Sequence, residues 1–234
     1  MKNDELVMWN LVSDISQGLQ ISFASIKAAI SSLLGGDIFW DQATQHEFML
    51  TIDKSVDELS SLTAVMTVAM RFESQTLAIN REPNSLQEIL SQARDYVQKR
   101  LPDTTITLTL PVETRLALVD YEYLRLALRL LIEVLITARV NALEPLSIRV
   151  LEGGDGWQII FDGRLSGLAG DIVNWFCHAA PECSLLPVNM RAEAKLKVLT
   201  AYQLLALQAI EVAVNGAIGD NAVLVLHVPI ETEA

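Results

Sequence analysis

The side chains that most readily attack, shuttle protons or ligate metals are scarce in this chain. There are three histidines, His46, His178 and His227, and two cysteines, Cys177 and Cys183. Cys177, His178 and Cys183 bring soft ligands close together, but a closed zinc site needs a fourth and none follows. The expectation is a cysteine pair beside an incidental histidine, with no metal. No G-x-S-x-G elbow is present to expose a nucleophilic serine. Asp162-Gly163 fits a strand-end turn, and no glycine occurs from Arg191 to Asn215. Glycine is what lets a backbone approach phosphate closely. A neutral imidazole is the side chain best suited to attack a phosphoryl group near neutral pH.

The 234 residues suit one large domain or two modest ones. An apolar fraction of 51% and a mean hydropathy of +0.32 exclude a disordered chain. The net charge of −12 argues against a general nucleic-acid binder, which needs a basic footprint. A membrane span needs about 20 nearly uncharged apolar residues. The best candidate, Leu124 to Ala138, is shorter and carries Arg125, Arg129 and Glu133, so it reads as a buried helix. No basic segment leads into an apolar stretch at the N-terminus, so no signal peptide is expected. Two cysteines make no disulfide framework, which places the chain in a reducing cytoplasm.

The elements that must position any chemistry begin with two long helices. From Asp4 to Leu34 there is no proline, and Trp9, Val12, Ser16, Leu19, Phe23, Ile26, Ile30 and Leu33 recur in alternating threes and fours. That is a heptad seam. Gly35-Gly36 ends the helix and Asp41 can cap the next. The second seam reads Phe48, Ile52, Ser55, Leu59, Leu62, Met66 and Ala69, with Met49, Val56 and Met70 flanking it. Leu11, Ile15 and Ala29 flank the first seam. Each arm carries more apolar surface than one partner covers, so two hairpins are expected to form a four-helix bundle as a homodimer. Its core would hold Val12, Leu19, Phe23, Ile26, Ile52, Leu59, Leu62 and Met66.

Pro83 marks the boundary, giving a hairpin over 1–80 and a second domain over 81–234. There, helices are expected at Leu86–Leu101, Tyr121–Val140 and Arg191–Val214. Strands are expected at Thr104–Leu110, Leu116–Val119, Leu146–Leu151, Trp157–Phe161, Ala217–Ile218 and Ala222–Val228. Turns fall at Gly153-Gly154-Asp155-Gly156 and Gly219-Asp220-Asn221. Without regular βαβ alternation, the class is α+β, helices layered on a mostly antiparallel sheet.

This order of elements resembles the core of a sensor histidine kinase, a dimerisation and phosphotransfer hairpin followed by an ATP-binding α/β sandwich of the gyrase/Hsp90/kinase type. The hairpin is most similar to Kdp-type sensor kinases. The likeness is carried by Ala24-Ser25-Ile26-Lys27-Ala28-Ala29-Ile30-Ser31-Ser32-Leu33-Leu34 and Asp37-Ile38-Phe39-Trp40-Asp41. Ile79-Asn80-Arg81-Glu82-Pro83, Leu86 and Leu118-Val119-Asp120 continue it.

The motifs that carry the family's chemistry are altered. The phosphoacceptor box, roughly S-H-E-L-R-T-P-L-A-S-I-K, falls on Ser16-Gln17-Gly18-Leu19-Gln20-Ile21-Ser22-Phe23-Ala24-Ser25-Ile26-Lys27. Gln17 stands where the resemblance places the histidine, and an amide is no comparable nucleophile. The asparagine box falls on Leu130-Leu131-Ile132-Glu133-Val134-Leu135, and Val134 takes the magnesium-holding position. A hard cation wants oxygen ligands, which valine lacks. Asp162-Gly163 keeps half of the adenine-reading box, and the glycine-rich box falls on Leu199-Thr200-Ala201-Tyr202-Gln203-Leu204. A nucleotide lid should be polar and mobile, yet this one offers Ile172, Val173, Trp175, Phe176, Leu185 and Leu186, expected to pack over the pocket and fill it.

The resemblance thus implies a dimeric kinase relative without a cofactor. Leu130, Val134, Asp162 and Gly163 would form a vestigial nucleotide pocket, and Gln17 and Gln20 a docking patch for a response regulator or an active histidine kinase. The alternative is a residual kinase, or a phosphatase in which Gln17 or Gln20 orients water at a phosphorylated receiver domain.

Overall fold

The computed structural model describes residues 2–35, 40–111, 115–139, 144–153, 156–165, 167–176, 186–187, 189–215 and 222–230, with the side chains of residues 2–14, 164 and 222 outside that description. The chain divides into two compact units, Met1–Thr76 and Leu77–Ala234.

The first unit is a helical hairpin. Helix α1 spans Lys2–Leu34 and α2 spans Gln42–Glu73. Asp41 caps α2, accepting a hydrogen bond from the Thr44 amide at 2.7 Å. That bond holds the Asp41 carboxyl below its usual range. Trp40 donates from its indole to the Ser32 carbonyl at 2.9 Å and meets Phe48 edge-on. On α2 the expected seam is met in part: Ser55, Leu62 and Ala69 are buried, Ser61 and Val65 are buried beside them, and Ile52, Leu59 and Met66 are half-buried. On α1 the register differs. Ile15, Ser22 and Ala29 are buried, Leu19, Ile26 and Leu33 are half-buried, and Phe23 is 62% exposed. Ser16 and Ile30 are exposed too. The hairpin selects the smaller neighbour in two heptads, Ser22 over Phe23 and Ala29 over Ile30. Small side chains let two helices approach closely, and the bulky ones are turned outward.

In the second unit, five strands form one sheet in the order β2-β4-β5-β7-β6. These are β2 Ile106–Thr109, β4 Leu146–Gly153, β5 Gly156–Leu165, β6 Glu211–Asn215 and β7 Ala222–Pro229. Only β2 and β4 run parallel; the other pairs are antiparallel. Two short strands, β1 Glu82–Asn84 and β3 Ala117–Val119, pair separately. One face of the sheet is buried at Leu146, Ile148, Val150, Trp157, Ile159, Phe161, Leu224, Leu226 and Val228, the alternation of a half-covered antiparallel sheet.

Helices α3 Leu86–Arg100, α4 Tyr121–Ala138, α5 Leu168–Phe176 and α6 Ala192–Leu207 complete the unit. Helix α4 packs against both α3 and α6. Ten of its residues, Glu133 among them, are buried, which explains its nearly continuous apolar sequence. Asp120 caps α4 through the Tyr123 amide at 3.1 Å and also accepts from the Asn80 amide at 3.0 Å. The helix expected to run to Val214 stops at Leu207 instead. Gln208 and Ala209 turn the chain, Ala209 at φ 57, and β6 follows. Val212 and Val214 are β-branched at alternate positions, which suits a strand better than a helix end. The strand expected at Ala217–Ile218, and the tips of both glycine turns, lie outside the described residues.

Candidate functional site

The second unit holds a cavity of about 400 Å³ between α4, α5 and the start of α6. Its walls come from Glu133, Val134, Thr137 and Ala138 on α4, Leu168 and Ile172 on α5, and Asn189, Met190, Arg191, Glu193, Ala194 and Lys197 around the α6 N-terminus. Glu133 and Val134 are adjacent on α4, so one turn presents a carboxylate and an aliphatic side chain to the same space. Lys197 lies one turn after Glu193 on α6, the spacing at which helical side chains meet. Its Nζ donates to Glu133 Oε1 at 2.9 Å and to Glu193 Oε1 at 2.5 Å. Lys197 is 6% exposed and Glu133 9% exposed. The second oxygen of Glu133, Oε2, is sealed from solvent and has no hydrogen-bond partner among the described residues. Arg129, one turn before Glu133, stacks on Tyr96 with its guanidinium carbon 4.2 Å from the ring centre. Burial pushes the Arg129 guanidinium down from its usual range, against the pull of Tyr96 and Glu133.

The structure separates the residues expected to share this pocket. Val134 lines the cavity, whereas Leu130 is fully buried and is not part of its wall. Asp162 lies on β5, half exposed, facing Arg149 on the neighbouring strand at 3.3 Å. Gly163 sits at φ 155 in the irregular stretch of β5, where an added Cβ would lie 3.1 Å from the Pro145 carbonyl oxygen. The Asp-Gly pair therefore has a backbone reason of its own. Leu199, Ala201 and Leu204 are buried away from the cavity, so the stretch of α6 that faces it is Glu193 to Lys197, upstream of the segment assigned to the glycine-rich box.

Helix α5 occupies the lid segment and is packed down as expected. Ile172, Val173, Trp175 and Phe176 are buried. Trp175 meets Phe176 and Tyr202 of α6 edge-on, with centroids 5.3 and 5.5 Å apart. Leu186 is buried as well, and Leu185 lies outside the described residues. The lid does not fill the space beneath it, since the cavity persists beside Ile172.

No protein-family model matches the sequence, and no curated protein does. Solved structures do match. The Acinetobacter baumannii histidine kinase AdeS superposes with a TM-score of 0.61 at 13% identity, over 92% of this chain and 98% of its own. Full-length ShkA in complex with AMPPNP gives 0.59 at 15% identity, over 96% of this chain and 46% of that one. A bacterial phosphotransferase gives 0.52 at 11%, over 94% and 95%. The chain has the fold of a sensor histidine kinase core. Within that fold, Gln17 and Gln20 are exposed on α1, and Gln17 occupies the outward position expected of it.

A magnesium-bound triphosphate needs oxygen ligands for the metal and close donors for the phosphates. The wall offers an aliphatic Val134, a carboxylate pair already held by an ammonium, and Thr137, Asn189 and Arg191 as its other polar groups. No glycine lies between Arg191 and Asn215 to let the backbone close on phosphate. Sequence reasoning missed Glu193 and Lys197. The signal was a pair of opposite charges four residues apart at the start of an apolar helix. Cys177, His178 and Cys183 lie outside the described residues, among which no cluster of three or more His, Cys, Asp or Glu forms a metal site. No helix among them is long and apolar enough to cross a membrane.

Proposed function

We propose that the protein is a non-catalytic relative of the histidine kinases, a homodimer that acts by protein–protein contact in two-component signalling. The observation that carries this reading is the ion triad in the cavity. Where a kinase would neutralise phosphate, Lys197 is committed to Glu133 and Glu193, and Val134 gives magnesium no oxygen. Gln17 supports it from the other unit, because an amide at the phosphoacceptor position cannot store a phosphoryl group as an imidazole does. The partner would be a receiver domain or an active kinase, met on the exposed face of α1 around Gln17 and Gln20.

Labelled ATP with magnesium, followed on a gel and by calorimetry, tests the reading. The expected result is no label on the protein and no saturable heat. Micromolar nucleotide binding, or label on the chain, overturns it.

A further inference from the structure

Three charged side chains meet at the wall of the cavity. Two carboxylates from different helices, Glu133 on α4 and Glu193 on α6, converge on one point, and the Lys197 ammonium stands there at 2.9 and 2.5 Å. Of the two carboxylates, Glu133 is buried and Glu193 is half exposed at the cavity rim. An ammonium donates at most three hydrogen bonds to single oxygens. Here it reaches Oε1 of each carboxylate and leaves Glu133 Oε2 buried without a partner. A divalent cation differs in that respect, because it can take both oxygens of a carboxylate at once. The buried, unsatisfied Oε2 is therefore a mismatch between this carboxylate pair and the monovalent group that fills it.

We propose that Lys197 is a built-in cation plug: its ammonium holds the Glu133–Glu193 pair that would otherwise take a divalent metal ion, and so keeps the cavity closed to a magnesium-bound nucleotide. This deepens the non-catalytic reading and rests on it. Two other cations are near enough to matter. Arg191 lines the same cavity, and Arg129 acts on Glu133 through space. The plug is specific to Lys197 because, among the described residues, its head group is the cation that pairs with both carboxylates.

The full-length wild type and K197A are titrated with manganese(II), reading free metal by electron paramagnetic resonance and binding by calorimetry. Wild type is expected to show no saturable site. K197A is expected to gain one, at least about tenfold tighter than any wild-type binding, and K197A/E133Q to lose it again. A folded K197A that gains nothing overturns the plug, and so does wild type binding manganese as tightly as K197A. Arg129 or Arg191 moving in to replace the lysine would give the first of these results. If K197A does not fold, wild type and E133Q are labelled with an amine-acylating reagent and read by mass spectrometry. Lys197 is expected to be protected in wild type and about tenfold more reactive in E133Q; equal labelling overturns the plug. The two claims fail separately. ATP binding to wild type defeats the non-catalytic reading, whereas an absent manganese gain defeats the plug alone.

Discussion

A lysine committed to two carboxylates inside a helical layer is costly to disturb from one side only. Removing Lys197 leaves Glu133 charged and buried, and breaking a buried pair in this way costs about 3–5 kcal/mol. K197M should therefore lower the urea midpoint sharply. Replacing both partners behaves differently, because buried ion pairs exchanged for apolar residues of similar size are often neutral or stabilising. The double variant E133L/K197M is expected to recover to within about 1 kcal/mol of wild type, a coupling that a double-mutant cycle reads directly. If E133L/K197M proves as unstable as K197M, the pair is not the unit described. At this scale the sequence was only partly legible. Gln17 and Val134 stand out only against the motifs that the resemblance lays on them, and the structure puts Val134 in the cavity wall and Gln17 on the surface. Glu193 and Lys197 match no motif, and nothing in one chain's sequence says that the start of α6 faces Glu133. That juxtaposition comes from packing α4 against α6, a long-range fact.

Elements were legible where their boundaries carry chemistry. Asp41 announces α2 as a capping residue and makes the expected amide hydrogen bond, and Asp120 caps α4 in the same way. The sheet's alternating apolar residues give β4 and β7 almost to their ends, whereas β5 runs past the expected Phe161 to Leu165, through the Asp162-Gly163 pair expected to end it. The end of α6 was missed because its stop signal is hidden. Helices commonly end on a glycine in the left-handed region, but here that conformation falls to Ala209 at φ 57. An alanine there costs about 1–2 kcal/mol relative to its preferred conformations. Glycine removes that strain and gives back part of it through a freer unfolded chain. The A209G variant is accordingly expected to gain about 0.5–1 kcal/mol, seen as a higher urea midpoint with an unchanged slope. A loss of stability would mean that the turn is not held in the conformation described. The α1 seam shows the opposite failure. Its pattern is strong but doubly occupied, with apolar or small residues at both of two adjacent positions per heptad, so periodicity alone could not choose between them.

At the scale of the molecule, that double occupancy becomes an argument for assembly. One hairpin covers the stripe through Ser55, Leu62 and Ala69 and leaves a second heptad stripe, Met49, Val56 and Met70, exposed on α2. Ile52, Leu59 and Met66 are half-buried between the two stripes. On α1, Phe23, Ile30 and Leu34 are exposed in the same way. A patch of this size, repeated with heptad spacing on both arms, is what a second hairpin would bury in a four-helix bundle. The two stripes can be told apart by substitution. Leu62 is 5% exposed inside the hairpin, so L62D buries an unpaired charge and should cost helical content as well as assembly. Val56 is 46% exposed in the single chain, so V56E is harmless to the hairpin but places a charge where the partner's apolar stripe would pack. Light scattering should report twice the chain mass for wild type and one chain mass for V56E, with the circular dichroism of V56E unchanged. Wild type running as a monomer at micromolar concentration would remove the dimer. V56E that stays dimeric would move the interface off this face of α2.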